Sequence, residues 1–217
     1  MSERTTWKFF SMVIRTERAH LSTTGGKVWD AAVTMFDFLK LNIKTSRERP
    51  LNVIELGSGC GWLGMSLAEY FGSDLVRVVL TEQECGGGLE WLQHNLDLNP
   101  HVSNVEARAL DWIEVPDWFT GQEWDLIIGS ELVYSPITCE LLPKCIKKLA
   151  SPKSIVYYAH NLNRFESLDV EIVRNFQSCG FEVIPQLANS LPCAISDILF
   201  PDMTLEIFSL TLSQKTL

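Results

Sequence analysis

Val53-Ile54-Glu55-Leu56-Gly57-Ser58-Gly59-Cys60-Gly61-Trp62-Leu63-Gly64 is the most informative stretch of this 217-residue chain. An apolar run closes on an acid, three glycines follow at alternate positions, and a new apolar segment opens. Glycine lacks a Cβ, so such a turn reaches positive φ and brings its N–H groups close to a ligand. Where a strand feeds a helix, the unpaired N–H groups and the helix dipole face the same point. This is the geometry of a nucleotide or nucleoside cradle.

Downstream, strand-like and helical runs alternate. Leu51 to Leu56 reads as a buried strand, Trp62 to Phe71 as a helix stopped by Gly72, and Leu75 to Leu80 as a second strand leading into Thr81-Glu82. Leu89 to Leu98 is helical and halted by Asn99-Pro100. Val105 to Leu110 is a third strand, and Asp125 to Ser130 is a fourth with the near-continuous apolar character of a strand covered on both faces. Ile137 to Leu149 is a helix, Ser154 to Ala159 a fifth strand, and Phe165 to Cys179 a helix closed by Gly180. Phe181 to Ile184 and Leu205 to Leu212 end the chain as strands. This alternation predicts an α/β fold with an open, mostly parallel sheet. In such sheets ligands bind at the carboxyl ends of the strands. The glycine loop, Glu82, Asp111-Trp112 and Ser130-Glu131 all fall at such ends.

Upstream, Gly25-Gly26-Lys27-Val28-Trp29-Asp30-Ala31-Ala32 introduces a helical pattern carried by Val33, Phe36, Phe38 and Leu39. The expected organisation is a single domain, with residues 1–50 an extension and helix packed on a core formed by residues 51–217. Hydrophobic residues make up 46% of the chain, enough for a large core. No run approaches a membrane span of roughly 20 residues. Met1 to Arg18 lacks the apolar stretch of a signal peptide. The six cysteines form no CxxC pair, and with the four histidines they show no zinc spacing. A reducing cytoplasmic or nuclear setting is expected, with no metal and no membrane partner. The net charge of −9 disfavours an extended nucleic-acid footprint and suits a basic protein partner. The small basic groups at Lys44 to Arg49 and Lys144 to Lys148 read as a solvated loop and a helix face.

The loop alone leaves two readings open, because Gly59-Cys60-Gly61-Trp62-Leu63-Gly64 also matches the GxGxxG of dinucleotide-binding proteins. Glu82 would hold ribose hydroxyls in either case. Glu55 lies inside an apolar strand, where a carboxylate is costly unless paired. Its partner is either a cationic ligand group or the amides of the loop. Asp111 could accept an adenine amino group while Trp112 flanks the ring or simply fills the core. Ser130-Glu131-Leu132-Val133-Tyr134 places an acid and an aromatic hydroxyl three residues apart beside the cradle. His160-Asn161-Leu162-Asn163-Arg164 either rims a substrate cleft or is an ordinary loop and helix cap.

Taken together, Glu55-Leu56-Gly57-Ser58-Gly59-Cys60-Gly61 and Asp125-Leu126-Ile127-Ile128-Gly129-Ser130-Glu131-Leu132-Val133-Tyr134 resemble the seven-β-strand S-adenosylmethionine-dependent methyltransferases. Within them the chain resembles family 16, the METTL21-like protein lysine methyltransferases. Their acid-x-x-Tyr/Phe signature is matched by Glu131 and Tyr134, and their Val-Trp-Asp/Pro-Ala element by Val28-Trp29-Asp30-Ala31. The resemblance covers roughly residues 25–184. It implies a Rossmann-like, doubly wound seven-stranded sheet, mostly parallel with an antiparallel last strand. It also implies S-adenosyl-L-methionine as cofactor, contacted by Trp29, Gly57, Glu82, Trp112 and Ser130. Glu55, Ser58, Gly59, Gly61, Gln83 and Asp111 complete the expected cofactor set by their place at the same strand ends. Glu131 and Tyr134 are the expected catalytic pair at the methyl-transfer mouth. Glu131 and Glu82 each stand where aspartate is common, one methylene longer.

The implied activity is methyl transfer to a lysine of a non-histone protein by a monomeric enzyme. Rival readings are a methyltransferase for a small molecule or nucleic acid, a NAD-dependent oxidoreductase, and a catalytically silent S-adenosylmethionine-binding partner protein. No Asn/Asp-Pro-Pro-Tyr/Phe tetrapeptide follows the fourth strand, and no Tyr-x-x-x-Lys pair is evident.

Overall fold

The computed structural model describes residues 6–9, 11–16, 24–46, 48–186, 191–192 and 204–212. Its chain divides into two compact units, residues 1–111 and 112–217.

The first unit opens with an antiparallel hairpin of β1 (Thr6–Phe9) and β2 (Met12–Arg15), pairing Thr6 with Arg15 and Phe9 with Met12. Then come α1 (Asp30–Asn42), β3 (Leu51–Leu56), α2 (Trp62–Phe71), β4 (Leu75–Glu82), α3 (Gly88–Asp97) and β5 (Val105–Ala109). The three later strands are parallel, in the order β5-β4-β3. Val53, Ile54, Leu56, Val78, Val79 and Leu80 are fully buried, as their unbroken apolar runs predict. Helix α2 is buried from Trp62 to Ala68. Against it α1 sets Phe36, whose ring meets those of Trp62 and Tyr70 edge-on at 5.7 and 5.9 Å.

The hairpin was not legible in the sequence. Its strands are four residues long, and within β2 Met12 and Ile14 carry the buried alternation. What holds it comes from residues some eighty positions away. The carboxamide of Asn99 accepts from Val13 N–H at 2.8 Å and donates to Val13 C=O at 2.9 Å. Asn95 does the same with Arg15, at 2.9 and 3.1 Å. Each side chain copies a peptide group and completes the edge of β2. Both asparagines are fully buried, so truncating either leaves backbone groups unpaired away from water. Asn99→Ala is expected to lower unfolding free energy by between about 1 and 2 kcal/mol, read from urea denaturation. An unchanged midpoint would show that the latch adds nothing.

The second unit holds α4 (Asp117–Thr120), β6 (Leu126–Ser130), α5 (Pro136–Leu149), β7 (Ile155–Leu162), α6 (Glu166–Ser178), β8 (Phe181–Pro185), the two-residue β9 (Leu191–Pro192) and β10 (Thr204–Leu212). Its long strands are ordered β6-β7-β10-β8. β6 and β7 are parallel, whereas β10 runs antiparallel to both β7 and β8. The reversed last strand is therefore present, and the long strands number seven across the two units. Trp124, Tyr158, Phe176 and Ile207 lie in this unit's core.

Two local features depart from the sequence pattern. β7 continues three residues past Ala159 to Leu162, because Thr204, Leu205 and Glu206 of β10 pair with Leu162, Asn161 and His160. Helix α5 carries Pro143 in its interior. Proline has no N–H for the carbonyl four residues back. That carbonyl, on Cys139, instead accepts from Asn175 Nδ2 of α6 at 3.1 Å. The start of α5 is secured by Ser135, which forms a reciprocal capping box with Thr138, and by Pro136 in the first turn.

Candidate active site

In the first unit the carboxyl ends of β3, β4 and β5 converge on the glycine loop. Gly57, Gly59 and Gly61 all adopt positive φ, at 56°, 56° and 82°. Ser58 fastens the loop to β4: its N–H donates to Thr81 C=O at 2.8 Å, and its Oγ accepts from Thr81 N–H at 3.0 Å. Glu82 lies at the end of β4, with Oε1 accepting from Gly59 N–H at 2.8 Å and Oε2 from Gln83 N–H at 3.1 Å. Leu110 N–H donates to Glu82 C=O at 2.9 Å, which brings Asp111, exposed, to the same strand ends.

Glu55 answers the choice left open by the sequence. Helix α2 begins after Gly61, which has no side chain to cap it. Glu55 Oε2 accepts from Gly64 N–H at 2.9 Å and takes that role from inside β3. A Cβ on Gly64 would lie 2.6 Å from this oxygen and 2.1 Å from Leu80 Cδ2. The last glycine of the motif thus serves strand–helix packing.

Burial pushes the Glu55 carboxyl up to about 8, against the Gly64 N–H and reinforced by the neighbouring Glu82 charge. Burial also raises Glu82, opposed by the N–H groups of Gly59 and Gln83. Cys60, buried beside them, is pushed up to about 12 and stays a thiol. Among the described residues neither Glu55 nor Glu82 has a cationic partner. Two buried acids bonded chiefly to backbone N–H groups make this loop a place where positive charge is favoured.

The segment before α1 reaches the same loop. A Cβ on Gly59 would meet Gly25 C=O at 2.8 Å, so the loop packs directly against the residues leading to Trp29. Trp29 is half-buried in extended backbone at the start of α1. Its Nε1 donates to Thr24 C=O at 3.3 Å, and Lys27 Nζ lies 3.3 Å from the ring centroid. Gln83 is exposed and accepts from Cys85 Sγ at 3.4 Å.

In the second unit the signature follows β6. Ser130 is half-buried at the strand's end, Trp112 is half-buried, and the Tyr134 side chain is exposed. Glu131 adopts φ 55°, an uncommon backbone for a residue with a side chain. Its N–H donates to Ala159 C=O at 3.0 Å. Its side chain, 7% exposed, accepts from Asn161 N–H at 2.6 Å and pairs with Arg164 Nη1 at 3.2 Å. The segment from His160 to Arg164 thus meets the signature acid directly. Arg164 as its ion-pair partner was not anticipated, since nothing in spacing alone couples positions 131 and 164. Tyr134 N–H donates to Thr138 Oγ1 at 3.3 Å, tying the signature to the cap of α5.

The arrangement has counterparts of known fold and family. The crystal structure of precorrin-6y C5,15-methyltransferase from Geobacter metallireducens GS-15 is similar with a TM-score of 0.57 at 12% identity, over 92% of this chain and 94% of that one. That likeness establishes the Rossmann-like methyltransferase fold. EEF1A lysine methyltransferase 3 of Mus musculus is 32% identical over 137 residues, 63% of this chain and 55% of that protein. Protein N-lysine methyltransferase METTL21A of Mus musculus is 30% identical over 135 residues, 61% of this chain and 58% of that protein. The chain spans about half the length of the curated relatives it matches. Residues 9–171 match the family model described as lysine methyltransferase, three quarters of the sequence. The chain belongs to the lysine methyltransferase family.

Proposed function

We propose that this protein is an S-adenosylmethionine-dependent protein-lysine N-methyltransferase. The observation that carries the reading is the pair of buried acids, Glu55 and Glu82, which among the described residues have no cationic partner, beside a left-handed glycine loop. A nucleoside that also bears a sulfonium and an ammonium fits this donor set. Ser58, Gln83 and Asp111 complete the proposed contacts of this unit, with Trp29 at the edge of the loop; Trp112 and Ser130 are proposed contacts on the family resemblance alone.

When bound, S-adenosylmethionine supplies an activated methyl group on sulfur, so the transfer is an in-line displacement without a covalent enzyme intermediate. The protein's work is alignment and preparation of the nucleophile. Aligned reactions gain up to roughly 7–11 kcal/mol. A lysine of ordinary pKa, about 10.4, is neutral at pH 7 in only about one part in 2,500, a deficit of about 4.6 kcal/mol. Removing its ammonium from water beside an aromatic wall lowers that deficit. Tyr134 forms such a wall. Glu131 fixes the mouth: its two oxygens are engaged by Asn161 N–H and Arg164, so it acts through the shape and charge of the turn and is not assigned as the proton acceptor.

The target is a lysine on a non-histone protein, met by a monomer in the cytoplasm or nucleus. The net charge of −9 supports a basic partner, and Cys60, Cys85, Cys139 and Cys179, which form no disulfide among the described residues, support a reducing compartment. Cys193 lies outside the described residues. No helix among the described residues is long and apolar enough to cross a membrane.

Glu131→Ala is expected to slow methyl transfer at least tenfold, about 1.4 kcal/mol of transition-state stabilisation, while S-adenosylmethionine affinity changes less than threefold. Radiolabelled cofactor and a lysate of the source organism, followed by mass spectrometry of labelled proteins, supply the assay. Label in RNA instead of lysine, or full turnover by the variant, would refute the respective parts of the proposal.

A further inference from the structure

We propose that Tyr158, His160 and Asp169 form a buried positioning relay that holds the Glu131–Val133 turn in the geometry methyl transfer requires. The inference rests on the reading of Glu131 given above. It starts from two backbone outliers: among the described residues, Glu131 and Asn163 are the non-glycine positions with positive φ, at 55° and 64°. Left-handed backbone at a residue with a Cβ persists only where its surroundings enforce it. Hydrogen bonds tie both turns to His160 and its neighbours at the end of β7.

At one end, Glu131 N–H donates to Ala159 C=O at 3.0 Å and the Glu131 carboxylate accepts from Asn161 N–H at 2.6 Å, which bonds the turn to both neighbours of His160 on β7. The Tyr158 hydroxyl lies 3.2 Å from His160 Nδ1, and His160 Nε2 lies 2.8 Å from Asp169 Oδ1. At the other end, Asp169 Oδ2 accepts from Asn163 N–H at 2.7 Å. Proton positions follow from the partners. A carboxylate only accepts, so His160 presents Nε2–H to Asp169, and the Tyr158 O–H proton is directed to Nδ1. Burial and the Glu131 charge both raise the Tyr158 hydroxyl well above its ordinary value, which keeps that proton in place.

The inner part of the relay is enclosed by packing, Tyr158 at 0% and His160 at 2% exposed, while the Asp169 side chain is 11% exposed. Tyr158 and His160 alternate on β7, so they share one face of the strand, and their rings stack at 5.6 Å. Asp169 comes from α6, and Asn161, between His160 and Leu162, presents its N–H to Glu131 Oε1. The end of β7 therefore grips the signature turn at the Glu131 carboxylate and at the Glu131 amide. Apolar side chains would fill the same space without the cost of burying three polar groups. A fully connected network instead specifies one arrangement of the turn.

Tyr158→Phe removes one oxygen and keeps the ring. The expected result is a kcat lowered about tenfold, with KM and Kd for S-adenosylmethionine within twofold. Amide exchange at Glu131 and Asn161 should accelerate at least tenfold, while β3 and α2 keep their protection. Asp169→Asn, at the outer end of the relay, gives a milder loss of the same kind if the first variant folds poorly. Unchanged exchange at Glu131 and Asn161, or wild-type kcat in Tyr158→Phe where Glu131→Gln is inactive, overturns the relay alone. Wild-type turnover in Glu131→Gln removes the acid from the mouth and the proposal with it, a result distinct from either.

Discussion

Gly64→Ala is expected to lower the unfolding free energy by about 3 kcal/mol, although alanine is the better helix former by about 1 kcal/mol. The backbone there is ordinary helix, so no conformational penalty arises. The loss is steric. The added methyl would fall 2.1 Å from Leu80 Cδ2, 2.6 Å from Glu55 Oε2 and 3.3 Å from Val78 Cγ1. Leu80 and Val78 are fully buried in β4, and Glu55 would have to give up its bond to the Gly64 N–H. Urea denaturation measures the loss, and Leu80→Val, which shortens the offending branch, should restore part of it in the double variant. A variant as stable as the parent would mean that α2 shifts freely from β3 and β4.

The second large effect is a pH dependence. Burial places the Glu55 carboxyl at about 8 in the folded protein, against an ordinary value of 4.5. A raised folded value means that the folded state holds a proton which the unfolded chain releases. The associated stability is fully present below about pH 4.5 and is lost as pH rises toward 8. The difference corresponds to roughly 5 kcal/mol at most. Glu55→Gln cannot ionise, and its amide oxygen can still accept from Gly64 N–H. The variant is expected to match the parent near pH 5 and exceed it in urea resistance at pH 8. It should also bind S-adenosylmethionine more weakly at pH 8, where the parent carboxylate meets a cation. Parallel pH profiles for the two proteins would show that Glu55 does not titrate in this range.

Much of this fold was readable because its signals are periodic or local. Unbroken apolar runs gave β3, β4 and β6, and Asn99-Pro100 and Gly180 stopped their helices where expected. Glu55, Gly57–Gly61 and Glu82 were placed together because each ends or follows a strand of one parallel sheet. The features that escaped depend on partners distant in sequence. The β1–β2 hairpin needs Asn95 and Asn99, and the last turn of β7 needs β10. Glu131 needs Arg164, and a helix through Pro143 needs Asn175 on another helix. For Glu55 the burial was legible while its bonding was open. Its buried position followed from the strand, but the acceptor role toward Gly64 follows from the close approach of α2.

The two asparagines that close β2 also illustrate a commensurability. Alternate residues of an extended chain are separated by about 6.8 Å, and residues four apart at helical rise by about 6.0 Å. Flexible carboxamides absorb the mismatch, so the end of α3 can dock onto Val13 and Arg15 as a neighbouring strand would. This substitutes a rod of one periodicity for a ribbon of another. It also leaves that side of β2 shielded from recruitment by a stray extended chain, a protection usually supplied by charge or proline.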